Sequence, residues 1–344
     1  MMAIIAGIDI GGTKLAVTLA RVEGETLRVI GKEKAPTPRT GGAEGLALLG
    51  RLLRDARRKA GVPEGEIAGI GISCGGPLDS RRGVILSPPN LPGWDEVPVK
   101  AYFERETGAP AVLRNDADAC AVAEWRYGAG RGCRNMVFLT FGTGFGAGLI
   151  LNGALYSGSC DMAGEIGHIR APGDPAYRPV GYGKSGSFEG YCSGGGIAEL
   201  GRAMALEAIQ RGRPASFCPT PRELEGLTAQ AIAQAAEEGD PLAREVYACS
   251  GRQLGGALAL LVDLLNPEAV VIGSIYARST ALLRDAAMEV LERESLPLAR
   301  QACRVLPAAL GEHLGDVAAL SLAPLPAAGE GSGQPTKVCF DGEP

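Results

Sequence analysis

The sequence predicts an α/β protein in which two glycine turns, each set between strands, hold one phosphate-bearing ligand. Three observations lead there. The stretch NMVFLTFGTGFGAGLI, residues 135–150, places glycines 142, 144, 146 and 148 between two runs of apolar residues suited to a pleated sheet. The chain opens in the same way, with AIIAGIDI at 3–10, GGTK at 11–14 and LAVTLARV at 15–22. Buried-strand segments and segments of helical period then alternate through the rest of the 344 residues.

In a tight turn, glycine lets bare backbone N–H groups come close to an anion, and Thr143 adds a hydroxyl donor. Asp9 is a lone carboxylate in an apolar strand, costly to bury unless a cation meets it. A divalent metal carrying phosphate would do so. Either turn alone reads equally well as a plain hairpin, but two of them suggest one nucleotide gripped from both sides. A dinucleotide-binding unit would need the glycine loop to open a helix, whereas AGLILNGALY has no helix start and turns again at Asn152 and Gly153.

Taken in order, the first hairpin leads to a strand near 27–30 and a helix over about 43–60, where Leu46, Leu49, Leu52 and Leu53 recur at helical spacing opposite arginines. IAGIGIS at 67–73 reads as a buried strand, and the proline-rich SPPNLPGWDEVP at 87–98 as a loop. A short helix near 99–107 precedes strand APAVLRN and a helix over about 117–127. Asn115 and Asp116 therefore fall where a strand ends and a helix begins, a place where α/β sheets present ligand groups. Asp116 is equally placed to cap that helix. Residues 158–196 are rich in Gly, Ser and Pro yet carry Glu165, His168 and Glu189, which marks a functional loop. Helices over 195–210, 228–237 and 241–265 follow, then a strand at AVVIGS, a helix over 280–294, a strand near 302–306 and a last helix near 313–323. The polar, glycine-rich tail from 324 to 344 reads as flexible.

Composition narrows the function. Charged residues make up 21% and net charge is −5, so no broad basic surface is available for nucleic acid. Nine scattered cysteines, an odd number without knuckle spacing, fit a reducing compartment. The absence of a leader and of any bilayer-length apolar run points to the cytoplasm.

IDIGGTK at 8–14, GGPLD at 75–79, PNLPGW at 89–94, NDADA at 115–119, FGTGFGAGLILNG at 141–153, GEIGH at 164–168 and NPEAVVIG at 266–273 together resemble the ordered motifs of ROK-family sugar kinases, from about residue 4 to 322. The resemblance implies the actin-like ATPase fold, with two ribonuclease H-like domains closing on ATP and a hexose. The smaller would comprise residues 1–117 with 309–323, the larger 118–308. It implies that Asp116 is the catalytic base toward the sugar's primary hydroxyl and that Asn115 binds the ring hydroxyls. Glu165, His168 and Glu189 would hold the sugar, with the backbone of Gly76 against it. Asp9 would hold Mg²⁺ through water. Gly11, Gly12, Thr13 and Lys14 would line the phosphates opposite Thr143 and Gly144, and Gly273 the nucleoside side. Members of the family are often dimers or tetramers.

One motif departs from the family. A CxCGxxGCxE zinc motif is usual just before the second acid, but VGYGKSGSFEGYCSG at 180–194 has Val180, Tyr182 and Ser187 in place of three thiolates. Structural zinc needs several thiolate or imidazole ligands, so no zinc is expected, and something else must orient His168. The leading expectation is an ATP-dependent hexose kinase, with glucose as the default acceptor and N-acetylhexosamines open. The rivals are a sugar-sensing protein without transfer activity and an actin-like phosphotransferase with another acceptor. A DNA-binding member would carry a helix-turn-helix ahead of the first phosphate turn, and Asp9 lies too near the start for one.

Overall fold

The computed structural model describes residues 2–172, 177–325 and 335–340. Strand Met2–Ile10 pairs antiparallel with Lys14–Glu23, which pairs in turn with Thr26–Pro36. On its other side Met2–Ile10 runs parallel to Ile67–Cys74, and that strand parallel to Ala111–Asn115. The register sets Asp9 opposite Ser73 and Cys74 opposite Asn115, so Asp9, Gly75 and Asp116 emerge along one edge of the sheet. The second sheet runs 154–156, 147–151, 136–139, 269–272, 304–307. In it Leu139 faces both Ala147 and Ile272, which brings the 140–146 turn and Gly273 to a common edge.

Each sheet is covered by helices because its central strands are apolar on both faces. Ile67–Cys74 is buried at every position but Ala68. Helix Gly42–Lys59 lays Leu46, Leu49, Leu52 and Leu53 on the first sheet, and Phe103 and Trp94 complete that core. Helices Gly194–Gln210, Pro241–Leu265 and Thr280–Glu294 cover one face of the second sheet. Helices Asp116–Tyr127 and Leu314–Ser321 meet in a core shared with the other face, through Ala119, Ala123, Val317 and Ala318 with Phe138 and Val271. The last helix comes so close to the first sheet that a Cβ at Gly71 would lie 1.9 Å from the Ala319 carbonyl oxygen. Among the described residues no helix is long and apolar enough to cross a membrane, and all nine cysteines are free thiols.

Three expectations are corrected. The tail is not wholly irregular: Lys337–Phe340 adds a parallel strand beside Thr26–Val29, and Phe340 stacks on His313 with ring centroids 3.9 Å apart. The cause is the β-prone KVCF sequence meeting an open sheet edge; residues 326–334 and 341–344 of the expected flexible tail lie outside the described residues. The strand near 27–30 extends over Thr26–Pro36, since Lys14–Glu23 goes on pairing with it beyond a register shift at Ile30, past the point where its own residues turn polar. The strand placed at 302–306 is Arg304–Pro307, preceded by a short helix, Pro297–Ala302, opened by proline at its first turn.

Candidate active site

Between the two sheet edges lies a cavity of about 630 Å³. Asn115, Asp116, Gly76, Glu165, His168, Glu189, Thr143 and Gly144 all line it, so these eight predicted site residues, scattered over more than a hundred positions, share one space. Asp9 and the Gly11–Lys14 turn lie beside that space rather than on its wall: Asp9 feels the charge of Asp116, and Gly12 abuts the backbone of Asn90, which does line the cavity. Gly273 is buried against the Phe138 ring, and the neighbouring Ser274, at φ 52°, lines the cavity.

The capping question at Asn115 and Asp116 has a shared answer. Asn115 holds the N-cap position, and its Oδ1 accepts the Ala117 N–H at 2.9 Å, while Asp116 Oδ1 accepts the same N–H at 2.8 Å. The second Asp116 oxygen is left facing the Gly75 turn, 4.0 Å from where a Cβ would stand there. Asp116 is exposed on the floor of the cleft. Desolvation by the protein around the cleft floor raises its pKa above the ordinary carboxylate range, although its backbone hydrogen bonds pull the other way.

Glu165 stands at the start of the 3₁₀ turn Ile166–His168. Its pKa is raised, first by desolvation and then by the charges of Asp116 and Glu189, with His168 opposing. Two further carboxylates and an imidazole therefore act on Glu165 across the cavity. Glu189 comes from helix Phe188–Tyr191, which Ser187 caps through the Gly190 N–H. Glu189 Oε2 accepts the Phe145 N–H at 3.1 Å, tying this acid to the glycine turn that carries Thr143. That turn is braced from within, Thr140 Oγ1 accepting the Gly146 N–H at 2.8 Å.

Across the cleft the first turn closes by Gly11 N–H donation to the Lys14 carbonyl at 3.0 Å, which leaves Gly12 and Thr13 exposed. Burial pushes the Asp9 pKa to about 6, with Lys14 opposing and Asp116 adding to the rise. A half-buried carboxylate beside a second one is a place where a cation relieves electrostatic cost, so the residues present fit a magnesium ion held by Asp9.

Sequence reasoning missed Asn90, Met162, Tyr182 and Ser274 on the cavity wall. Asn90 sits in the quoted PNLPGW motif and Tyr182 stands where the family's motif has a thiolate, so both could have been singled out there; Met162 and Ser274 carry no spacing signal. A second cavity of about 720 Å³ lies among the C-terminal helices, but Glu245 and Glu294 on its wall are paired with Arg252 and Arg293. Chemistry, rather than size, singles out the 630 Å³ cleft.

Comparison with known proteins gives the family. The ROK family matches residues 5–325. A glucokinase of Streptomyces coelicolor is 32% identical over 332 residues, covering 94% of this chain and 98% of that protein. The crystal structure of a ROK family glucokinase from Streptomyces griseus in complex with glucose and AMPPNP is similar at TM-score 0.73 and 30% identity, covering 94% and 99% of the two chains. A ROK family transcriptional regulator, a homologue of the E. coli MLC protein, is similar at TM-score 0.80 and 25% identity, with 93% of this chain and 77% of that one covered.

Proposed function

This chain belongs to the ROK family and has the actin-like ATPase fold, and from that premise we propose that it is an ATP-dependent hexose kinase. The observation that carries the proposal is the convergence of Asp116, Glu165, His168 and Glu189 with the Thr143–Gly144 turn on one cavity. Sugar-binding acids and a phosphate turn in the same space are what transfer between the two substrates requires.

In this reading Asp116 accepts the proton of the sugar's primary hydroxyl as that oxygen attacks the γ-phosphorus. The new P–O bond forms as the bond to the bridging oxygen breaks, and ADP leaves. Phosphoryl transfer asks for position and for charge aimed at the equatorial oxygens, which N–H groups of the two glycine turns, Thr143, Thr13 and the Lys14 ammonium supply. A base placed like Asp116 contributes roughly 10²- to 10⁴-fold in rate. Magnesium, held by Asp9, would neutralise phosphate charge. Asn115, Glu165, His168 and Glu189 fix the sugar, with Gly76 against it. Gly273 meets the nucleoside side, with Ser274 beside it on the cavity wall.

Glucose is the proposed acceptor, supported by the similarity to the Streptomyces glucokinases. Two domains are part of the reading, residues 1–117 with 309–323 and residues 118–308; their facing edges form the cleft. So is the absence of structural zinc: Ser187 donates to the Gly181 carbonyl, and Cys192 is fully buried with its thiol pKa pushed up by desolvation, which leaves His168 short of metal-binding neighbours. Free cysteines support a cytoplasmic location. Self-association into a dimer or tetramer, readable by light scattering, is supported by the exposed Leu264 and Leu296.

A hexose panel with a coupled ADP assay tests the activity. Glucose-dependent ADP formation is expected. Similarity to a regulator favours one second reading, a sugar sensor, and sugar binding without ADP release from any hexose would select it.

A further inference from the structure

The loop that replaces the family's cysteine motif is a two-stranded hairpin in which Val180 pairs with Ser185 and Gly181 with Lys184. Its turn is therefore two residues long, Tyr182–Gly183, with φ at 50° and 71°. Positive φ at both positions is the I′ geometry, which favours Asn-Gly or Gly-Gly and disfavours a bulky aromatic residue at the first position. The stem is anchored on both sides: the Ala171 N–H donates to the Gly186 carbonyl, and the Phe188 N–H to the Ile169 carbonyl.

Local physics argues against tyrosine here on a second count. Tyr182 is 64% exposed, so burial contributes little to keeping a large ring in an unfavourable backbone conformation. Strain kept without such compensation marks a functional position. The ring's surroundings supply the role. It meets the His168 imidazole edge to face, with centroids 5.6 Å apart and planes at 82°, and it lines the sugar end of the cleft with Met162. The same hairpin holds the His168 backbone, Lys184 Nζ donating to its carbonyl at 2.7 Å.

We propose that Tyr182 is a positioning residue that orients His168 toward the sugar, so that aromatic packing does here the work expected of a metal ligand. The proposal rests on the sugar-binding half of the reading above and does not depend on the phosphoryl-transfer half. Edge-to-face packing fixes a ring plane; the hairpin then fixes the height of His168 through Lys184. Only side chains on this one loop are needed.

Tyr182→Asn separates the turn from the ring, because asparagine suits a I′ turn and cannot pack on imidazole. The expected result is a melting temperature equal to or above that of the parent, a sugar KM and calorimetric sugar Kd raised about 10-fold, and kcat and the KM for ATP changed less than about 3-fold. Tyr182→Phe, which keeps the ring, recovers most of the lost affinity. The ring-nitrogen NMR signals of His168 move in Tyr182→Asn and stay near their parent positions in Tyr182→Phe. Unchanged sugar Kd in a folded Tyr182→Asn protein, or a Tyr182→Phe variant as weak as Tyr182→Asn, overturns the proposal. Sugar binding by the parent without ADP formation overturns the kinase reading alone, and the ratio of Kd values still decides the role of Tyr182.

Discussion

Asp116 and Tyr182 show how single residues are set by competing local demands. Asp116 shares a helix-capping N–H with Asn115, which holds one carboxylate oxygen still and leaves the other facing the Gly75 turn, where the proposed base function would use it. Replacing it tests that division of labour. Asp116→Asn keeps an oxygen for the Ala117 N–H but cannot take a proton, so sugar Kd stays within about 3-fold while kcat falls by about 10²-fold or more. Single-turnover kinetics with calorimetry checks this, and near-normal phosphorylation by the variant would remove Asp116 from the role of base. Because desolvation raises the Asp116 pKa, the acid limb of kcat/KM for the parent is expected above the usual aspartate range, and a limb inside that range would contradict the upward shift.

At the scale of elements, the last helix and the last strand show how the chain end completes both layers. Leu314–Ser321 packs closely over the first sheet because Gly7 and Gly71 have no side chains beneath it. Gly71→Ala would press a methyl group into the Ala319 carbonyl, and overpacking of that kind costs about 1–3 kcal/mol, visible as a lower denaturant midpoint. An unchanged midpoint would mean the helix shifts freely on the sheet. Strand Lys337–Phe340 is a milder case. Phe340 is partly buried and stacks on His313 just before that helix, so Phe340→Ala is expected to cost on the order of 1 kcal/mol. A loss too small to measure would mean that the added strand holds by backbone pairing alone.

The whole molecule is organised about an acidic seam between its sheets. Asp118 lies 3% exposed on the helix that borders both, and burial pushes its pKa to about 6 even though the Ser157 hydroxyl donates to it at 2.6 Å. Its folded pKa is above the unfolded value of 3.8, so the native state binds the proton more tightly. Stability from this group therefore grows as pH falls through about 6 and is complete below about 4. At pH 7 the ionised form costs up to about 3 kcal/mol. Asp118→Asn keeps an acceptor for Ser157, so the variant is expected to melt higher than the parent at pH 7 and to lose most of that advantage by pH 4.5. A melting-temperature difference independent of pH would show that Asp118 titrates normally in the folded state.

The sequence by itself determined the elements. The glycine turns and the helices over 99–107, 241–265 and 280–294 were legible because period and turn residues are local properties of the chain, while Asn115, Asp116, Glu165, His168 and Glu189 were singled out through the resemblance of the ordered motifs to a family. Tertiary structure alone decided what those elements share. Ser274 on the cavity wall, the edge strand drawn from an apparently plain tail, and the contact of Tyr182 with His168 depend on register between distant strands and on which side of a turn faces the cleft. A one-residue change of register exchanges the faces of a strand, and spacing along the chain carries no record of that choice when the partner strand is a hundred residues away.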